Sequence, residues 1–185
     1  MKRITTDTYK YCTGGNMREH SFMLYGLVRG IKPKRILEIG VGGLVSGKAM
    51  MNAIKDANLA CEYHGCDINP DCLALINRFE TVDRTFYNMT SNELAKKWKL
   101  PLDILLIDGD HSYEQTKIDY ENFYPHVNKD GYIIFHDTCP PTEKHKKMTR
   151  CGTVYKILDD LYMNHNLEVV TFTYSYGLTV CRKLT

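Results

Sequence analysis

Apolar positions along this chain follow two patterns in alternation. Short, mainly apolar runs mark strands buried on both faces: Ile36, Leu37 and Ile39, then residues 102–107. Between them, apolar residues recur at helical spacing. Met17, Phe22, Met23, Leu24, Leu27 and Val28 predict an amphipathic helix over 16–29, with Gly30 placed to end it. After the first strand come Gly40, Gly42 and Gly43, which let the backbone turn tightly, and a helix from Val45 (Met50, Met51, Ala53, Ile54). A second strand over 62–67 ends in Asp67, and Asn69-Pro70 opens the next helix (Cys72, Leu73, Leu75, Ile76).

The alternation continues. A weak strand covers 85–87, Ser91 is placed to cap a helix over 92–98, and the strand 102–107 leads to a helix over 113–124 that Pro125 stops. Asp130-Gly131 turns into a strand over 132–135. A loop with Pro140-Pro141 and the basic run 144–147 precedes a helix over 154–163. The last two apolar runs, 167–173 and 177–181, lie too close together for a crossover helix, so they form an antiparallel hairpin. The whole predicts an α/β fold: a Rossmann-like, doubly wound, mostly parallel seven-stranded sheet with helices on both faces and an antiparallel C-terminal hairpin.

With 185 residues, the chain is expected to be a single domain over 1–185, with residues 1–30 as an N-terminal arm and helix that form a lid. A net charge of +2 gives no field that argues for nucleic acid or a membrane surface. None of the seven cysteines forms Cys-x-x-Cys, which favours reduced, buried thiols in a cytoplasmic protein over a disulfide or zinc framework. No signal peptide is expected, and the sequence holds no run of about 18 apolar residues.

Ligands of such sheets bind at the carboxyl ends of the strands. The polar residues sit there: Gly40 to Gly43, Asp67, the segment Asp108-Gly-Asp-His111, and His136-Asp137. A carboxylate at Asp67 suits a ribose diol, and as the partner of the glycine turn it points to an adenosine without fixing a reaction. Glu38, two residues before the first glycine, disfavours a pyrophosphate and suits a cationic or hydrogen-bond-donating ligand end. Asp108, His136 and Asp137 follow different strands and could meet on one divalent ion. A base would have to be His or carboxylate.

Taken together, Leu37-Glu-Ile-Gly-Val-Gly-Gly, Asp67, Ile107-Asp-Gly-Asp-His-Ser-Tyr-Glu114, Gly131-Tyr-Ile-Ile-Phe-His-Asp-Thr138 and Gly177-Leu-Thr-Val resemble the class I S-adenosylmethionine-dependent methyltransferases. More narrowly they are similar to the branch with Asp-Gly-Asp-His-Ser-Tyr-Glu and His-Asp-Thr signatures, akin to catechol-type and antibiotic- or sugar-modifying O-methyltransferases. The resemblance implies that Glu38 and Gly40 hold the methionine end of the cofactor, with Gly42 letting the backbone approach it and Asp67 on the ribose. It implies that Asp108, which also borders the cofactor, holds a divalent cation with His136 and Asp137. It places His111 where catechol-type relatives carry a lysine base. Many relatives have Gly-Asp after the third strand. Here Asn88-Met-Thr-Ser91 stands instead, so Asn88, Thr90, Ser91 or backbone holds the adenine. The nitrogen of His136 leaves magnesium, a transition metal or no metal open.

The implied reaction is methyl transfer to the hydroxyl of a small molecule, with His111 or Asp108 taking the proton. Tyr9, Tyr11 and His20 are candidates to line the acceptor site, and the basic loop 144–150 flanks it. A nicotinamide-dependent enzyme is the main alternative, but its third glycine would fall at Val45. A binding protein that kept the cofactor fold without catalysis is the other. No nucleic-acid or membrane partner is expected. A tyrosine-bearing arm of this kind often packs on a second subunit, which makes a homodimer a candidate assembly.

Overall fold

The computed structural model describes residues 17–146 and 152–185. The expected arm with Tyr9 and Tyr11, as well as Cys12 and Cys151, lies outside the described residues. Seven strands form one sheet: β1 (Arg35–Ile39), β2 (Glu62–Asp67), β3 (Asp83–Asn88), β4 (Leu102–Ile107), β5 (Val127–His136), β6 (Leu167–Phe172) and β7 (Leu178–Lys183). Their order is β3-β2-β1-β4-β5-β7-β6. The first five pair in parallel, and β7 runs antiparallel between β5 and β6. The doubly wound sheet with its antiparallel terminal hairpin is therefore as expected.

The helices are α1 (Met17–Ile31), α2 (Val45–Asp56), α3 (Cys72–Ile76), α4 (Ser91–Lys97), α5 (Tyr113–Phe123), the short α6 (Glu143–Lys146) and α7 (Ile157–Met163). They cover both faces of the sheet. Because side chains alternate along a strand, β1 and β4 feed two cores. Ile36, Ile104 and Leu106 join Leu24, Val28, Met50 and Ile54 of α1 and α2 on one face. Leu37, Ile39, Leu105 and Ile107 join Leu94, Phe123, Ile157 and Leu161 of α4, α5 and α7 on the other. Glu38 shares the face of Ile36 and so points under α2. After β1 the chain winds one way along the sheet, and after β4 the other way, which opens a crevice at their carboxyl ends.

Local differences from the expected elements have simple causes. Gly30 does not end α1. The helix runs to Ile31, and Lys32 takes the left-handed turn at φ 53°. Ser91 does not cap α4. Thr90 does, accepting from the Glu93 N–H at 3.2 Å while the Glu93 carboxylate accepts from the Thr90 N–H at 2.9 Å. β3 and β5 are longer than their apolar runs, since backbone pairing with neighbouring strands continues past them. Residues 154–156 form a 3-10 turn before α7. Cys61, Cys66, Cys72 and Cys181 are buried free thiols and Cys139 is a partly buried one.

The reciprocal cap predicts that Thr90→Ala lowers stability by about 1 kcal/mol. Urea unfolding checks this, and an unchanged midpoint would contradict the assignment.

Candidate functional site

The first bend is fixed by close backbone contacts. Gly40 and Gly42 have φ of 86° and 48°, and a Cβ on Gly40 would overlap the backbone of Asp108 and Gly109. The Gly40 N–H donates to the Cys66 carbonyl at 2.9 Å, and the Asp108 N–H donates to that of Ile39 at 2.8 Å. The bend is thus stitched to β2 on one side and β4 on the other. Leu44 starts α2 in a left-handed conformation with no side-chain cap, so the helix presents its first N–H groups beside the glycines.

Asp67 turns toward this bend. Its Oδ2 accepts from the Gly42 N–H at 2.9 Å and its Oδ1 from the Asn69 N–H at 2.8 Å. Asn88 serves another purpose than the expected one. Its amide donates to the carbonyls of Asp67 and Ile68, at 3.1 and 2.9 Å, and so ties β3 to the end of β2.

Glu38 also departs from expectation. It is fully buried under α2 and accepts from the hydroxyls of Ser46 and Tyr63. Gly47 makes the arrangement possible, since a Cβ there would stand 2.7 Å from Glu38 Oε2. Burial pushes the Glu38 carboxyl up to about 8, against the pull of its two hydroxyl donors. Glu38 does not border the cleft; Val45 and Ser46 above it do.

The chemical rim gathers Asp108, His111, His136 and Asp137. His111 Nδ1 lies 2.7 Å from Asp137 Oδ2. His136 Nδ1 lies 3.0 Å from Asp108 Oδ1 and 3.5 Å from Asp137 Oδ1. Burial would lower the His136 pKa, but the Asp108 and Asp137 charges outweigh it and raise it. The expected ligand triad was Asp108, His136 and Asp137. The structure instead brings ligand atoms of Asp108, His111 and Asp137 within 4.8 Å of one another. His136 is turned inward, edge-on to His20 with ring centroids 5.6 Å apart. His20 is itself buried, with Nε2 3.2 Å from the Ser175 carbonyl, so it does not line the cleft. The loop that carries His111 is pinned by the Thr153 N–H, which donates to the His111 carbonyl at 2.9 Å, and by Ser112, which caps α5.

All these ends open on one cleft of about 860 Å³. Gly40, Gly42, Asp67, Thr90, Ser91, Asp108, His111, His136 and Asp137 border it, as expected of them. Gln115 and Asp119 of α5 border it too, and neither was expected. The sequence does hold a signal for Asp119. It shares the buried stripe Thr116, Tyr120 and Phe123, where a carboxylate is out of place. Lys144 of the basic loop is exposed, while 147–150 lie outside the described residues.

Comparison with known proteins gives this site a context. Residues 37–138 match the family model described as a methyltransferase domain. An uncharacterized protein of Sinorhizobium fredii is 25% identical over 126 residues, which is 60% of this chain and 14% of that protein. The chain thus spans about a seventh of that relative's length. The SAH-bound methyltransferase of Podospora anserina superposes with a TM-score of 0.72 at 15% identity, covering 97% of this chain and 87% of its own. The O-methyltransferase of Bacillus cereus in complex with SAH gives 0.65 at 13%, covering 89% and 80%. These two likenesses establish the fold. Among the described residues, no helix is long and apolar enough to cross a membrane.

The buried acid makes stability depend on pH in a defined direction. The folded chain keeps the Glu38 proton up to about pH 8, whereas an unfolded glutamate loses it near 4.5. Its contribution is therefore full below pH 4.5 and is lost as pH rises toward 8. Glu38→Gln should become more stable relative to wild type as pH rises through that window, by at most about 1.4 kcal/mol per pH unit. Urea unfolding at pH 5, 6.5 and 8 measures the difference, and parallel pH profiles would contradict it.

Proposed function

This chain belongs to the family of methyltransferase domains, and we propose that it transfers the methyl group of S-adenosylmethionine to a hydroxyl of a small molecule. The observation that carries the reading is Asp67, aimed at the Gly42 N–H in a cleft whose other end holds His111 against Asp137. A nucleoside subsite and a proton acceptor thus share one cavity. The SAH bound by the Podospora and Bacillus proteins supports the same cofactor here. The family match weighs against the nicotinamide alternative.

The residues fit the cofactor. The bend at Gly40 leaves no room for a side chain, and the uncapped start of α2 offers N–H groups to a carboxylate. Gly40, Gly42 and Ser46 would surround the methionine end, Asp67 would accept from the ribose hydroxyls, and Thr90 and Ser91 would lie toward the base. Glu38 would act from below, by holding Ser46. When bound, S-adenosylmethionine supplies a methyl group on a positively charged sulfur, with a neutral thioether as the leaving group.

The work left to the protein is to orient, exclude water and move one proton. His111 is only partly exposed and takes the hydroxyl proton as the acceptor oxygen bonds to the methyl carbon. The Asp137 carboxylate fixes the imidazole through Nδ1 and leaves Nε2 for the substrate. His136 steadies Asp108, which faces the cleft from the end of β4. Asp108, His111 and Asp137 also fit a divalent ion, which would take His111 as a ligand in place of its role as base, since Asp137 Oδ1 is buried without a hydrogen bond and the three ligand atoms are close. Two carboxylates and an imidazole suit a transition metal better than magnesium. Such an ion would make the hydroxyl more acidic.

Asp67→Ala should weaken S-adenosylhomocysteine binding at least tenfold by calorimetry, while His111→Ala leaves it within threefold. With tritiated methyl donor and a panel of phenolic and sugar hydroxyl acceptors, His111→Ala should lower turnover by about 10²–10⁴. Equal affinity of wild type and Asp67→Ala, or full turnover in His111→Ala, would refute the roles given to these residues.

A further inference from the structure

Asp119 is a buried carboxylate in a ligand cleft, and the proposed methyl transfer leaves it without a task. It lies on α5, is 1% exposed, and borders the cavity with Ser91 and Asn92 of α4 and with Gln115. Gln115 Nε2 donates to Asp119 Oδ1 at 2.8 Å and also reaches Asn92 Oδ1 at 3.3 Å and Ser91 Oγ at 3.4 Å. In return, Asn92 Nδ2 donates to Gln115 Oε1 at 3.3 Å. These bonds lock α4 to α5 and set the carboxylate in place. Ser91 is the other group that stabilises its charge, and among the described residues no basic side chain bears on it. Burial accordingly raises its pKa above the ordinary range.

An ionised carboxylate accepts about four hydrogen bonds and donates none. Two neutral neighbours leave part of that capacity open, and a buried charge without a cation is costly unless further donors reach it. The cleft is the direction from which a donor can come. The segment after β3, meanwhile, offers Thr90 and Ser91 and no free acid, because Glu93 is taken up by the cap.

We propose that Asp119 determines base specificity in this cleft by accepting a hydrogen bond from the exocyclic amino group of the cofactor's adenine, with Gln115 as its positioning residue. The inference rests on S-adenosylmethionine being the cofactor. An amino group at the 6-position donates to the carboxylate. A 6-oxo group sets an acceptor against an acceptor, and a 6-dimethylamino group has no hydrogen to give. A buried acceptor left without its donor discriminates strongly.

Calorimetry of wild type and Asp119→Asn with S-adenosylhomocysteine and its 6-oxo analogue S-inosylhomocysteine tests this, with circular dichroism as the check on folding. Wild type should bind the adenine compound at least 30-fold tighter. Asp119→Asn should narrow the ratio below fivefold, because an amide both accepts and donates. Should the variant not fold, wild type alone decides: the N6,N6-dimethyl analogue should bind at least 30-fold more weakly than S-adenosylhomocysteine. Equal binding of the analogues by wild type, or an unchanged ratio in Asp119→Asn, would overturn the role of Asp119 alone. Failure of wild type to bind S-adenosylhomocysteine would overturn the cofactor reading and this inference with it.

Discussion

The contact between Gly40 and the backbone of Asp108 is the constraint on which the site depends. A side chain at 40 would occupy the space of the Asp108 carbonyl, so only glycine lets the two strand ends approach. That approach places the bend after β1, where a cofactor would sit, directly beside Asp108, the first residue after β4. Backbone hydrogen bonds from Gly40 to Cys66 and from Asp108 to Ile39 extend the join across three strands. Asp67, Asp108, Asp110 and His111 border the cleft from the strand ends joined here.

Charge is handled differently at its two ends. Near the bend, Glu38 is removed from the cleft and neutralised by burial, which leaves Ser46 and the uncapped start of α2 to meet a ligand. A negative cofactor terminus would then face N–H groups and not a carboxylate. At the rim, each of the two aspartates has a histidine beside it. His136 is the buried member and His111 the more exposed one. Asp137 sits at φ 59°, a conformation that costs energy for a residue with a side chain. The sheet and the two histidines hold it there.

Much of this was legible in the sequence because strand ends are legible. Apolar runs located β1, β2 and β4, and a parallel sheet brings the residues after its strands to one edge. That reasoning put Asp67, Asp108, His111 and Asp137 at one edge, and all four border the cleft. The expectations that failed had a side-chain cause. Alternation along β1 assigns Glu38 to the face of Ile36, and only the packing of Gly47 shows that α2 closes over it. His136 ends β5 and His111 lies in the loop after β4, and no periodicity tells which one turns inward. Asn88 lies at a strand end as expected but is used up by two carbonyls. Asp119 was missed because attention to strand ends overlooks helix interiors, although an acid on an apolar stripe is itself informative.

The most direct test of the account is a crystal structure of the chain with S-adenosylhomocysteine. The ribose hydroxyls should lie within hydrogen-bonding distance of Asp67, with the sulfur facing Asp108 and His111. A nucleoside bound outside the cleft after β1, or one whose ribose turns away from Asp67, would contradict it.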